Sequence, residues 1–285
     1  MCDPTKILIT GADGMLGRSL QKELSEFEII PTDLPEGDIT DAKVFDQLIK
    51  QHQPDVVIHC AAMTAVDNCE SQIDLAYKLN AVGSANVASA CDRHEVRLIA
   101  ISTDYVFDGK KDAPYNEYDV PAPLNIYGKS KNAGEEAVRS HCSNHVIARI
   151  SWLYGPGGPS FVHTMLKLAD GTRPELKIVN DQLGNPTSTL AVVDALHNLI
   201  LKPELVGNFH LTCSGEASWY DFACEIFLNA GIKQKIVPCT SEEFLTPAPR
   251  PINSRLDKMA LRLHCLPQMP DWRDALSDFF KQELL

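Results

Sequence analysis

Tyr127-Gly128-Lys129-Ser130-Lys131 sets a phenol and an ammonium group four residues apart. At that spacing two residues share one face of a helix, so the Lys131 charge would lie beside the Tyr127 hydroxyl. A free tyrosine has a pKa of about 10 and exchanges its proton poorly at neutral pH. A neighbouring cation stabilises the phenolate and lowers that value, which suits Tyr127 to general acid–base work. A hydroxyl pair, Ser102-Thr103, ends the apolar run Arg97-Leu98-Ile99-Ala100-Ile101. If that run is a parallel strand, its carboxyl end is where ligands bind. Thr103 could then hydrogen-bond the same reacting oxygen as Tyr127.

A second chemical signal lies near the amino end. Gly11-Ala12-Asp13-Gly14-Met15-Leu16-Gly17 follows the apolar run Lys6–Thr10 and opens helical periodicity from Leu16 to Leu24. Glycine is needed where the chain turns tightly and where backbone must touch a pyrophosphate. The helix N-terminus adds free amides and a partial positive charge. The spacing predicts a dinucleotide site built from Gly11, Asp13, Gly14, Met15, Leu16 and Gly17. Asp33 closes the second apolar run, and a carboxylate there would accept from the adenosine ribose and favour NADH. Arg18 would instead meet the 2′-phosphate of NADPH, so both cofactors stay open. Asp38 and Ile39 are candidate contacts at the adenine edge. With a nicotinamide cofactor in place, the reaction is reduction of a carbonyl. The hydride would come from the cofactor and the proton from Tyr127, while Lys131 holds the tyrosine and the nicotinamide ribose.

These groups need a frame. Strands are expected at 6–10, 28–31, 55–59, 97–102 and 146–149. Helices are expected at 16–24, 44–49, 75–91 and 127–139. Short, continuously apolar strands alternating with helices predict a parallel sheet covered on both faces, a Rossmann-like doubly wound α/β fold. Past residue 151 the regularity breaks at Gly155-Pro156-Gly157-Gly158-Pro159. Helices follow at 161–168, 190–201, 219–230 and 272–280, with the stiff segment Pro247-Ala248-Pro249-Arg250-Pro251 between the last two. The division expected is a dinucleotide-binding domain over 1–151, with a returning segment near 186–205. The remainder, 152–285, would form a smaller, partly discontinuous α/β substrate lobe.

Bulk properties remove some classes. A net charge of -12 disfavours a non-specific nucleic-acid binder. No apolar stretch approaches the ~18 residues of a membrane span. The first strand begins almost at once, so a soluble, unexported chain is expected. Nine cysteines, an odd number, include no C-x-x-C pair, and several lie in apolar runs. They read as buried free thiols of the cytoplasm, with no metal cluster.

Taken together, the residues resemble the dTDP-4-dehydrorhamnose reductases, extended short-chain dehydrogenases/reductases, along nearly the whole chain. The matching segments include Thr10–Gly17, His59–Asp67, Asn80-Ala81, Ser102–Gly109, Tyr127–Lys131 and Arg149–Gly155. Asp181–Thr187 and Arg250–Asp257 are the more specific ones, since generic members of the superfamily lack them. The resemblance implies Thr103, Tyr127 and Lys131 as the catalytic set. It places Ala61, Ala62 and Thr64 along the cofactor and substrate cleft. It implies substrate contacts from Val66, Thr103, Asp104, Tyr105 and Trp152, and contacts to the nucleotide diphosphate from Asn185 and Arg250. The implied reaction is NAD(P)H-dependent reduction of the 4-keto group of dTDP-4-dehydro-6-deoxy-L-mannose to dTDP-L-rhamnose.

Some members of that family are magnesium-bridged dimers held by glutamates, but no matching acidic set maps onto this sequence. Metal dependence is left open, and a monomer or a homodimer is expected. Met63 stands where the family has a tyrosine, so an aromatic contact is missing. Two rival readings share the fold. A dehydratase would carry a second carboxylate after Asp104, where Tyr105 stands. A regulatory subunit like that of methionine adenosyltransferase would not need Tyr127 or Lys131, and both are present.

Overall fold

Alternation along the strands decides the architecture. Ile7, Ile9, Val56, Ile58, Ile99, Val146 and Ala148 pack into one core. Leu8, Val57, Leu98, Ala100 and Ile147 pack into another. Successive side chains of a strand point to opposite faces, so these strands must be covered on both sides.

The computed structural model describes residues 4–283; Cys2 lies outside them. The strands, in chain order, are β1 Lys6–Thr10, β2 Glu28–Thr32, β3 Val56–His59, β4 Arg97–Thr103, β5 His145–Ile150, β6 Leu153–Tyr154, β7 Leu176–Val179, β8 Leu183–Gly184, β9 Thr187–Ser188, β10 Gly207–His210, β11 Ala217–Ser218 and β12 Ile236–Cys239. Six of them form one parallel sheet in the order β10-β5-β4-β3-β1-β2. The fold is α/β and Rossmann-like. Because β1 pairs with β2 on one side and β3 on the other, the winding reverses between β1 and β3. A crevice opens at the carboxyl ends of the strands at such a point.

Helices α1 Met15–Glu23, α2 Ala42–His52, α3 Val66–Ser71, α4 Ile73–Tyr77, α5 Ser84–Arg93 and α6 Ile126–His141 belong to the first half. The single helix expected over 75–91 is more complex. The chain is π-helical over Lys78–Gly83, between α4 and α5. That wider turn carries the buried Asn80, whose Oδ1 accepts from Met63 N at 2.8 Å and whose Nδ2 donates to Met63 O at 3.1 Å and Ser130 Oγ at 2.9 Å. A side chain that must reach both a loop and a neighbouring helix is a common reason for such a turn at functional positions.

In the second half lie α7 Phe161–Leu168, α8 Thr189–Ile200, α9 Trp219–Asn229, α10 Met259–Leu263 and α11 Trp272–Glu283. α9 starts on a capping box, with Ser218 and Asp221 each bonding the other's backbone amide. α8 returns to the sheet and touches α1, where Ser19 Oγ donates to Thr189 Oγ1 at 2.9 Å. β10, at 207–210, carries the return further and takes the sheet edge beside β5. Residues 247–251 have no regular structure.

Candidate active site

The glycine turn sits at the reversal of the sheet. Gly11 has φ +66°, and a Cβ there would lie 2.7 Å from Ala61 N and 2.8 Å from Ala61 Cα. The β1 and β3 turns therefore meet backbone to backbone, a contact open only to glycine. α1 begins after Gly14 with no side-chain cap and no acid in its first turn. Its first-turn amides are thus available to an anion, and Gly11, Gly14, Met15, Leu16 and Gly17 line a cleft of about 800 Å³. This is what a dinucleotide pyrophosphate requires.

At the adenosine end Asp33 lines the cleft. Its Oδ1 accepts from Leu34 N at 2.8 Å and its Oδ2 from Asp13 N at 2.9 Å. Asp13 serves through its backbone and is not part of the lining. Asp38 and Ile39 do line the cleft. The Asp38 carboxyl is engaged by Thr40 N at 2.9 Å and Thr40 Oγ1 at 2.8 Å, which hold it below its ordinary pKa. Arg18 departs from expectation. Its Nη1 donates to Gly157 O at 3.0 Å, tying α1 to the 155–159 loop, and it lies outside the lining.

The reactive groups meet deeper in. Thr103 is the last residue of β4, and Asp104–Val106 make a turn of 3-10 helix directly after it. α6 starts at Asn125, whose side chain accepts from Gly128 N and donates to Pro249 O. A Cβ on Gly128 would collide with the carbonyl oxygen of Tyr105. The bare helix start can thus press onto the turn after β4, bringing the Tyr127 ring edge-on to Tyr105 at 5.8 Å. Thr103, Tyr127 and Lys131 all face the same cleft, with Ala61, Ala62, Thr64, Val66, Asp104, Tyr105 and Trp152 around them.

The electrostatics differ from the sequence expectation. Burial pushes the Tyr127 phenol up, against a weaker opposing hydrogen bond from Thr103, and Asp104 and Cys69 push it further. Lys131 Nζ donates to Ile101 O at 2.8 Å. Burial brings Lys131 itself down to about 8, with Glu135 and Cys60 opposing the fall. Asp104 is buried and pushed up to about 6 by desolvation, against hydrogen bonds from Ser254, Thr103 and Ser151. Thr103 Oγ1 donates to Asp104 Oδ1 at 2.9 Å, and Ser151 Oγ to Asp104 Oδ2 at 3.0 Å.

Trp152 is held at φ +45°, an uncommon conformation for a bulky residue. Its indole stacks on Trp219 at 3.5 Å between centroids, with the planes 6° apart. Trp219 Nε1 donates to Gln182 Oε1 at 3.1 Å, and Phe161 packs on the same ring at 4.7 Å. Trp152, Trp219 and Phe161 all line the cleft. Trp219 and Phe161 read in the sequence only as helix-face residues. Ser102 lines the cleft beside Thr103, and Cys60 and Ser151 line it unannounced.

Two expected substrate contacts sit elsewhere. Asn185 is buried, donating through Nδ2 to Gly215 O at 2.6 Å and accepting at Oδ1 from Leu256 N at 2.8 Å. Both ends of its amide are used in joining loops, and it is not part of the lining. Arg250 donates through Nη2 to Asp67 Oδ2 at 2.9 Å and stands 6.0 Å from the Tyr105 ring, behind the lining. Its Nη1 is buried without a partner. Among the described residues no group of three or more His, Cys, Asp or Glu could hold a metal ion.

A family model described as the RmlD substrate binding domain matches residues 5–285. The chain belongs to that family. Among relatives, the spore coat polysaccharide biosynthesis protein SpsK of Bacillus subtilis strain 168 is 40% identical over 280 residues, covering 98% of each chain. The dTDP-4-dehydrorhamnose reductase of Escherichia coli strain K12 is 38% identical over 285 residues, covering 94% of each. Among solved structures, the dTDP-4-dehydrorhamnose reductase of Bacillus anthracis, in complex with NADP, is 41% identical. It superposes with a TM-score of 0.95 over 99% of this chain and 100% of that one. The Thermus thermophilus UDP-glucose 4-epimerase complex with NAD, 20% identical at a TM-score of 0.82, shares the fold alone. The RmlD family model thus spans both the glycine turn and the aromatic wall.

Proposed function

We propose that the protein is an NAD(P)H-dependent reductase of the 4-keto group of dTDP-4-dehydro-6-deoxy-L-mannose, forming dTDP-L-rhamnose. The reading rests above all on Tyr127, Thr103 and Lys131 facing one cleft that also holds the uncapped first turn of α1. The identity of the Escherichia coli and Bacillus anthracis relatives as dTDP-4-dehydrorhamnose reductases supports it.

The bound reduced nicotinamide would supply the hydride. Tyr127 gives its phenolic proton to the carbonyl oxygen as charge develops there. Its raised pKa suits this direction, since the phenol stays protonated until an alkoxide, a far stronger base, forms beside it. Thr103 turns its hydroxyl from Asp104 to the same oxygen. Lys131 holds its charge next to the phenolate left behind and bonds the nicotinamide ribose. Trp152 and Tyr105 cover the apolar face of the sugar, and the tight cleft keeps water from the reacting carbon.

Residues 1–151 with the returning segment would carry the dinucleotide, and most of 152–285 the sugar nucleotide. Asn185 and Arg250 then act on the diphosphate indirectly, through the loops they fasten. The cleft is complete within one chain, so the reaction would run in a monomer or in each half of a homodimer. All eight described cysteines are free, which suits the reducing cytoplasm where we place the enzyme. No helix among the described residues is long and apolar enough to cross a membrane.

The test is Tyr127→Phe, assayed with NADPH and with NADH on the 4-keto sugar. Turnover should fall by about 10² to 10⁴-fold, while cofactor affinity by fluorescence titration stays near that of the parent. Undiminished turnover would remove Tyr127 as the proton donor.

A further inference from the structure

Lys131 is 7% exposed, and burial of this kind favours the neutral amine. Several groups face it. From the end of β3 come His59 and Cys60; from α6 come Tyr127 and Glu135; beyond β4 lies Asp104. His59 is held down to about 3 by burial and by Lys131, so it is neutral and adds no positive charge. Cys60 is pushed up to about 12 by burial and stays a thiol. Tyr127 keeps its proton, as shown above. Asp104, held at about 6, is engaged by Thr103 and Ser151; Glu135 is the anion on the lysine's own helix, one turn further along.

Glu135 is locked in place. It is 3% exposed. Its Oε1 accepts from Ser102 Oγ at 2.6 Å and Arg149 Nε at 2.8 Å. Its Oε2 accepts from Arg149 Nη2 at 2.7 Å and Arg139 Nη2 at 2.6 Å. Burial alone would raise this carboxyl, but Arg149, Ser102 and Arg139 bring it down to about 2, so it is ionised throughout the working range. At Lys131 it is Glu135 that most opposes the effect of burial. Lys131 and Glu135 also line a common cavity of about 10 Å³ with His59, Ser84 and Ser102. That is room for about one water, with Ala100, Ile101, Val138 and Ile147 completing the walls.

We propose that Glu135 is a positioning residue: a carboxylate clamped by Ser102 and Arg149 that, across a one-water cavity, keeps Lys131 charged and turned to the cleft. The network does more than fasten α6 to β4 and β5. It supplies a counter-charge that opposes the loss of the lysine's proton. This inference rests on the reductase reading for the consequence of that charge.

The test compares the pH dependence of kcat for the full-length protein, Glu135→Gln, Glu135→Asp and Arg139→Gln. NADPH binding, followed by fluorescence over the same pH range, is a readout independent of turnover. Wild-type activity should decline as pH rises through about 8, where Lys131 titrates. Glu135→Gln should move that decline, in both readouts, about one pH unit lower. It should lose about tenfold at pH 8.5 while recovering towards wild type at pH 6.5. Glu135→Asp should restore the limb. Arg139→Gln disturbs the same carboxylate but removes no negative charge, so its limb should stay or move up. If Glu135→Gln does not fold, Glu135→Gln combined with Arg149→Met removes the stranded guanidinium as well, and the same downward shift is expected. A limb unmoved in Glu135→Gln, or a loss equal at every pH, would overturn the proposal. A wild type that reduces nothing at any pH would instead overturn the reductase reading, and the binding limb would still judge Glu135.

Discussion

Asp104→Asn should make the protein more stable at neutral pH. The Asp104 carboxyl is buried at the inner end of the cleft and held at about 6, against an ordinary 3.8. Three hydroxyls donate to it, yet desolvation outweighs them. A gap of about two pH units corresponds to about 3 kcal/mol. The sign follows from proton counts. Between about pH 4 and pH 6 the folded chain retains a proton that the unfolded chain has released, so stability falls as pH rises through that window. Above about 6 both forms are ionised and the penalty is constant. Asparagine keeps an oxygen for the Thr103 hydroxyl and offers an amide to Ser151 Oγ, which can accept after rotating. Urea melts of both proteins from pH 4 to pH 8 would read the effect. The variant's advantage should be small at pH 4, grow to about 1–3 kcal/mol by pH 7, and level off. A variant no more stable than the parent at pH 7, or an advantage that does not change between pH 4 and pH 7, would refute the argument. Retaining such a carboxylate at a cost in stability is what a functional site does.

Two other expectations concern the cofactor end. Gly11→Ala forces a Cβ into the Ala61 backbone at a φ of +66°; NADPH binding by fluorescence should be lost even where circular dichroism shows the sheet intact. Asp33→Ala removes the carboxylate at the adenosine end and the acceptor for the Asp13 and Leu34 amides. It should raise the Kd for NADH more than that for NADPH, and an equal rise would show that Asp33 does not touch the ribose.

Much of the fold was legible because it depends on local pattern. Ile7-Leu8-Ile9 and Val56-Val57-Ile58 are continuously apolar, and only a strand covered on both faces buries every one of them. The glycine turn was legible for a similar reason, since phosphate contact and a positive φ at Gly11 both demand a missing side chain. The Tyr-x-x-x-Lys spacing placed two residues on one helical face, because that relation is set by helix geometry alone.

What the sequence by itself determined, then, was a parallel sheet, its glycine turn and a phenol with its lysine, all of them relations between near neighbours in the chain. Only the tertiary structure decided what those groups do to one another. Whether the Tyr127 phenol is raised or lowered depends on how deeply the fold buries it. The roles of Arg18, Asn185 and Arg250 depend on Gly157, Gly215 and Asp67, which sit far away in sequence. The Trp152–Trp219 stack and the Glu135–Arg149 clamp join residues from separate elements. The physical reason is the same throughout: desolvation and charge act through space, and periodicity along the chain carries no record of which distant groups share a low-dielectric pocket.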